Sequence, residues 1–474
     1  MLFTSLEFLL FFLPLVVGVY FCLNAKARNI WLLLASLFFY AWGEPKFVVV
    51  MIGSIMFNYL MAVFIALLRK HPLSSGILLG ICIAGNLSVL FLYKYANFVT
   101  AVARATFPGW QGVIPQTSFV LPIGISFFTF QALSYVVDVR RGVSVQWNPL
   151  NLALYIALFP QLIAGPIVRY TTVCDQIVHR TETFETFSWG VYRFLIGFNK
   201  KMLLANLFAV VADKAFASAE LTCGFAWLGA FAYSFQILFD FSGYSDMAIG
   251  LGAMFGFRFL ENFDYPYISK TVTEFWRRWH MSLGTWFRDY VYFPMGGSRV
   301  RKPRMIFNLA VVWCLTGVWH GANWTFILWG TLYGVLIVVE KLMALPKRVD
   351  SSKMFRCFYQ PFTLLMVVLG WVLFRSETLA ASGNYLKAMF FGWSEVKTTM
   401  SAGFELRELL VVLFCGVVCS TPLVPIVSSW ILKRNARWDS ILASIGWGWQ
   451  LLLFMASVSF LVMSAHNPFI YFNF

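Results

Sequence analysis

Residues 306–328 read IFNLAVVWCLTGVWHGANWTFIL. A run of about 20 apolar residues is the length an α-helix needs to cross the hydrocarbon core of a bilayer. The stretch is therefore expected to be a transmembrane helix, and similar runs recur along the whole chain. It also contains His320, one of only five histidines in 474 residues. A titratable ring in an apolar span is costly and points to function by default. A helix starting near Met305 would carry His320 on the order of 22 Å along its axis, past the bilayer midplane.

Outward from this stretch, apolar runs of roughly 20 residues fall at 2–23, 47–68, 76–93, 118–137, 150–168, 188–216, 225–256, 306–328, 329–345, 358–375, 408–429 and 440–465. A shorter run lies at 30–42. The window at 225–256 reads as one long helix or two broken ones. Hydrophobic residues make up 60% of the chain and charged residues 12%, with a mean hydropathy of +0.73. Lipid can absorb that much apolar surface and a soluble core cannot. The expected fold is an all-α polytopic transmembrane bundle. It would hold about 11–13 spans plus re-entrant or interfacial helices, in a single integral membrane domain over 1–474. Leu2–Leu23 is too long for a signal h-region and no Ala-x-Ala site follows it, so it reads as a retained span. Pro122, Pro160 and Pro166 interrupt apolar runs. Irregular backbone at membrane depth must line a cavity or be buried in protein, so an internal cavity is expected.

The net charge of +15 is assigned to membrane lipid rather than nucleic acid: Lys and Arg gather in cytoplasmic loops and meet anionic headgroups. Lys26/Arg28, Arg69/Lys70, Arg140/Arg141, Lys341/Lys347/Arg348 and Lys433/Arg434/Arg437 can all be placed on one side, which leaves the N-terminus outside. The eight cysteines are scattered without a CxxC pair. That argues against a disulfide framework or a zinc site, and Cys415 and Cys419, one helical turn apart, read as packing residues.

The stretch Arg258–Arg304 is the most basic, with nine Lys/Arg against four acids, and Trp276, Trp279, Trp286, Phe287, Tyr290, Tyr292 and Phe293 are interleaved with the charges. That mixture suits helices in the cytoplasmic interface or dipping into it. Within it, Phe275-Trp-Arg-Arg-Trp-His280 would place Trp276 and His280 on one helical face at i, i+4, with Arg277 and Arg278 turned away. Trp276, Trp279, Arg277 and Arg278 are the expected ligand-binding residues, with the arginines meeting phosphates. His280 reads as a second functional ring in a positioning or electrostatic role, or as part of an interfacial Trp belt. His320, beside Trp313, Trp319, Trp324 and Trp329 and between Gly317 and Gly321, reads as a general base or as a core histidine bonded to a neighbouring helix. Asp240, Ser242, Tyr244, Ser245 and Asp246 interrupt an apolar window, either paired with arginines of the 277–304 region or taking part in catalysis. Lys200, Lys201 and Arg169 read as span-end anchors and His71 as a loop residue. His179 and His466 have no supporting motif. No GxSxG elbow, P-loop or GxGxxG in strand context occurs.

The strings Phe275-Trp-Arg-Arg-Trp-His280-Met-Ser-Leu, Trp286-Phe-Arg-Asp-Tyr and Gly317-Val-Trp-His320-Gly-Ala resemble the membrane-bound O-acyltransferase (MBOAT) family. Arg28-Asn-Ile-Trp, Tyr93-Lys-Tyr-Ala-Asn-Phe98, Leu121-Pro-Ile-Gly-Ile-Ser126, Ala164-Gly-Pro166, Asp240-Phe-Ser-Gly-Tyr-Ser-Asp-Met-Ala-Ile-Gly250 and Glu261-Asn-Phe263 resemble its bacterial alginate O-acetylase branch. The resemblance covers nearly the whole chain. It implies a ring-like bundle with a central tunnel, lined by positions such as Asp240, Ser242, Tyr244, Trp319 and Asn323. His320 matches the family's catalytic histidine and His280 its second active-site position.

The resemblance further implies transfer of acetyl groups from a cytoplasmic acyl thioester such as acetyl-CoA toward an exported or cell-wall polysaccharide. It implies the bacterial inner membrane, no tightly bound cofactor or metal, and an extracytoplasmic SGNH-type partner. Two alternatives stay open: D-alanyl transfer from a carrier-protein thioester for teichoic acids, and a non-catalytic component of polysaccharide export.

Overall fold

The computed structural model describes residues 1–218, 220–392, 397–434, 438–463 and 470. Among the described residues the regular elements are all helical. Six of these helices are long and apolar enough to cross a membrane, or seven when the bent pair Leu409–Cys419 and Leu423–Lys433 counts as one span. The protein is an all-α, multi-pass membrane protein.

Two of the apolar runs expected to span are not single straight helices. The run at 150–168 divides into Pro149–Ala157 and Phe159–Leu162. The ring of Pro160 would strike the carbonyl of residue 156 in a continuous helix, so a new helix starts there instead. The run at 118–137 turns helical only from Ile125, after Gly124 at φ 76°. The window at 225–256 is one helix, Cys223–Met254.

Ten of the helices, in chain order, are α1 (Val48–Leu67), α2 (Pro72–Leu90), α3 (Ile125–Arg141), α4 (Phe184–Asn199), α5 (Cys223–Met254), α6 (Val272–Arg278), α7 (Met281–Phe287), α8 (Lys302–His320), α9 (Trp324–Leu342) and α10 (Lys353–Arg375). The chain packs as two compact units, Met1–Val191 with Ala248–Leu260, and Tyr192–Met247 with Glu261–Phe474.

In the first unit α1 and α2 are held by a reciprocal amide pair. Asn58 Nδ2 donates to Asn86 Oδ1 at 2.9 Å, and Asn86 Nδ2 returns the bond to Asn58 Oδ1 at 2.9 Å. Lipid offers no hydrophobic drive for helices to associate, so such polar contacts and close packing supply it. α3 is buried along almost its whole length, as expected of a helix surrounded by others rather than by lipid.

In the second unit close approach is set by glycine. A Cβ on Gly197 of α4 would lie 2.4 Å from the Gly243 carbonyl oxygen of α5, so the backbones cross with no side chain between them. α8 and α9 form an antiparallel hairpin packed in the same way, where a Cβ on Gly330 would lie 2.5 Å from Trp313 O and 2.9 Å from Gly317 Cα. The hairpin turn is Gly321–Asn323, directly after His320.

Candidate active site

His320 is the last residue of α8, at a helix end and not in mid-span as its place in the 306–328 run suggested. The expected junction at 328/329 is replaced by the break at 321–323, because Asn323 starts α9: its Oδ1 accepts from Thr325 N at 3.2 Å. Asn323 Nδ2 donates to Glu377 O at 2.7 Å and ties the turn down. His320 is buried, 3% exposed. Its ring meets Trp319 and Trp329 edge to face, each at 4.9 Å, and Phe374 at 5.1 Å.

His280 is held by another local device. α6 stops at Arg278, Trp279 is extended and His280 adopts φ 45° before α7 begins. Left-handed backbone is uncommon for a residue with a Cβ and persists only where the surroundings enforce it. The continuous helix that would have put Trp276 and His280 on one face is therefore absent. Asn262 supplies the constraint: its backbone carbonyl accepts from Met281 N at 2.9 Å. Its side-chain Oδ1 takes Ser282 N at 3.1 Å and Ser282 Oγ at 2.9 Å, and stands 3.2 Å from His280 Nδ1. The imidazole also stands edge to face against Phe241 at 4.6 Å and against Trp319 at 5.9 Å. Burial holds the His280 pKa well below its ordinary value, so the ring is neutral at pH 7.

A cavity of about 560 Å³ brings the two histidines together with Trp276, Trp279, Arg277 and Arg288. Arg277 is exposed and makes no ion pair among the described residues, so its guanidinium is open to an anion. Arg278 lies outside the lining. It is tied to Glu274 at 3.0 Å and Asp264 at 2.8 Å, a helix-stabilising arrangement. Polar at its arginines and aromatic near the rings, the cavity suits a ligand with a phosphorylated head and a short apolar end.

The acids of α5 do not pair with arginines of the 277–304 region. Asp240 forms an ion pair with Lys201 at 2.5 Å, each side chain 1% exposed, and accepts from Ile470 N at 2.9 Å. Asp246 is bound by Arg193 and Lys200, both at 2.7 Å. Lys200 and Lys201 thus serve as ion-pair partners rather than plain anchors. Ser242 lines a second cavity of about 690 Å³, with Asp246, Lys200, Arg193 and Asn262. Tyr244 is buried, and Tyr244, Trp319 and Asn323 line neither of these cavities. Trp319 packs against both imidazoles instead. His71 precedes α2 and His179 caps a short helix; His466 lies outside the described residues.

Two site residues escaped the sequence reading. Glu340 of α9 is fully buried, and its carboxylate accepts from Val272 N at 2.7 Å, Thr273 N at 2.8 Å and the Tyr359 hydroxyl at 3.0 Å. It caps α6, the helix that carries Trp276 and Arg277. Its only signal was an acid closing an apolar run, which looks like an ordinary span end. Asn262 was visible solely as part of Glu261-Asn-Phe263. Among the described residues no group of His, Cys, Asp or Glu could hold a metal ion.

The model of the membrane-bound O-acyltransferase family matches residues 74–379, a range that includes both histidines. The chain belongs to the membrane-bound O-acyltransferase family. As an O-acyltransferase it takes an acyl donor as substrate. It is 41% identical to a Pseudomonas putida protein named "Probable alginate O-acetylase AlgI", over 100% of both chains. It is 32% identical to a Helicobacter pylori peptidoglycan O-acetyltransferase, over 100% of this chain and 98% of that one. A Bacillus subtilis teichoic acid D-alanyltransferase is 30% identical over 56% of this chain and 69% of its own.

Proposed function

We propose that this MBOAT protein moves acetyl groups from a cytoplasmic acyl thioester such as acetyl-CoA toward an exported or cell-wall polysaccharide, with His320 as general base. The observation that carries this reading is the shared cavity, in which two buried histidines meet one exposed, uncompensated arginine. Acetyl rather than D-alanyl transfer is supported by full-length similarity to two kinds of O-acetyl-transferring relative, against partial similarity to the D-alanyltransferase.

In this reading the donor's phosphates rest on Arg277 and its thioester reaches the aromatic end of the cavity. His320 Nε2 or Nδ1 removes the proton from an incoming hydroxyl as its oxygen attacks the thioester carbonyl. The position of His320 at the C-terminal end of α8 favours the imidazolium so formed, because helix carbonyl dipoles point toward it. Collapse of the tetrahedral intermediate breaks the C–S bond, and the departing thiolate takes the proton back from the imidazolium. Trp319, Trp329 and Phe374 around the ring keep out water that would hydrolyse the thioester. We place the protein in the bacterial inner membrane, with an SGNH-type partner outside that receives or delivers the acetyl group.

The test is His320→Ala expressed in a deletion strain. The variant is expected to insert and fold while the surface polymer loses its O-acetyl groups by mass analysis. Wild-type acetylation by that variant removes His320 from the reaction, and loss of polymer export instead of loss of acetylation points to a scaffold.

A further inference from the structure

The Asn262 amide has only one orientation that satisfies its neighbours. Ser282 N is a backbone donor 3.1 Å from Oδ1, while Nδ2 donates to Ser245 Oγ at 3.0 Å. Turning the amide over would set an NH₂ group against the Ser282 N–H, two donors face to face. Oδ1 is therefore an acceptor, and it stands 3.2 Å from His280 Nδ1, nearer than the Ser282 hydroxyl at 3.4 Å, which itself donates to Oδ1 at 2.9 Å, so a proton on Nδ1 is the one that fits. A neutral imidazole has one N–H, so a proton on Nδ1 leaves the lone pair on Nε2. Asn262 itself lies away from the two-histidine cavity and lines the second one.

We propose that Asn262 is a positioning residue that locks His280 in its Nδ1–H tautomer, so that His280 meets substrate as a hydrogen-bond acceptor through Nε2 and not as a donor to the oxyanion. The inference rests on the reading that His280 touches substrate in the shared cavity. It divides the labour of the two rings. His320 takes the proton, and His280 orients a donor group, such as the attacking hydroxyl, by accepting from it.

The test uses full-length protein carrying ¹⁵N-histidine in lipid nanodiscs, with the His280 resonances assigned by their loss in His280→Ala. The expected spectrum has a protonated Nδ1 and a bare Nε2. Asn262→Leu is expected to lose that pattern and to lower kcat for acetyl-CoA-dependent transfer about 10–100-fold, the scale set by removing the outer partner of a metal-bound histidine, with KM for acetyl-CoA within about twofold. Asn262→Asp, which keeps the acceptor, should regain at least about tenfold over the leucine variant. In a His280→Ala background, Asn262→Leu should cost little more, because the two act through one ring. A protonated Nε2 in the wild-type spectrum overturns the proposal and leaves the functional reading of His280 standing, and so does a full Asn262→Leu loss on top of His280→Ala. Wild-type kcat in His280→Ala overturns it from below, by removing the reading on which it rests. The wild-type spectrum needs no variant to fold.

Discussion

The Glu340 carboxylate accepts the backbone amides of Val272 and Thr273 at 2.7 and 2.8 Å. A residue at the far end of α9 thus fixes the start of the seven-residue helix α6. So short a helix has little stability of its own, and this carboxylate adds to the Thr271 hydroxyl, which accepts from Glu274 N at 3.1 Å.

Glu340→Ala is expected to leave two amide donors without their acceptor. Loss of a helix cap costs about 0.5–2 kcal/mol, and a buried donor left unmade about 1–3 kcal/mol. The midpoint of thermal unfolding in detergent should fall. If the proposed donor site is right, the KM for acetyl-CoA should also rise, since Trp276 and Arg277 ride on α6. An unchanged midpoint would show that α6 is held by other contacts.

Arg277 and Arg278 are adjacent in sequence and separate in role. Arg277→Gln should raise the donor KM by several-fold at low salt and by less at high salt, as expected of an exposed charge meeting phosphate. Arg278→Gln should lower thermal stability by about 0.3–1 kcal/mol through loss of its ties to Glu274 and Asp264. It should leave the salt dependence of KM intact. Equal salt dependence of the two losses would place both arginines on the donor.

This division was not legible in the sequence. The all-α membrane class follows from composition and run length, which depend on each window alone, and the pairing of His280 with His320 followed from the rarity of polar rings in apolar segments. What sequence could not settle depends on neighbours distant along the chain. Arg278 is withdrawn from the cavity by Asp264, and the lysine that answers Asp240 is Lys201 on the preceding segment rather than an arginine further on. The i, i+4 pairing of Trp276 with His280 failed because Asn262, 18 residues back from His280, imposes a left-handed turn that local periodicity does not reveal. The interruption at Pro160 was legible in the sequence, whereas the late helix start after Gly124 and the junction set by Asn323 were not.

Gly330→Ala tests the hairpin that presents His320. Its new methyl would meet Trp313 O at 2.5 Å and Gly317 Cα at 2.9 Å, both backbone atoms that cannot turn aside. Overpacking of this kind costs about 1–3 kcal/mol, and the displaced α8 should lower acetyl transfer as well. Gly80→Ala in α2 is the control: a Cβ there meets nothing within 4 Å, so the helix should be unaffected or gain up to about 1 kcal/mol. A Gly330→Ala protein as stable and active as Gly80→Ala would refute the close crossing.

Lys201 and Asp240 make a sharper case, because each is 1% exposed and each charge answers the other. Removing one partner strands a buried charge, at a cost of about 3–5 kcal/mol. Lys201→Met and Asp240→Leu should each reduce the yield of folded protein and its thermal midpoint severely. The double variant removes both charges at once and replaces them with apolar groups of similar bulk, which is often neutral or stabilising. It should therefore recover much of the lost stability, and a double-mutant cycle on the unfolding midpoints would give a large coupling. If the two losses simply add, Asp240 is satisfied by other groups, and its place in the family-like string Asp240–Gly250 needs a chemical rather than a structural explanation. In that event the double variant, folded or not, would also fail to transfer acetyl groups. A recovered fold with recovered transfer would confine the pair to holding α5 against the π-helical segment Lys200–Ala205 that continues α4.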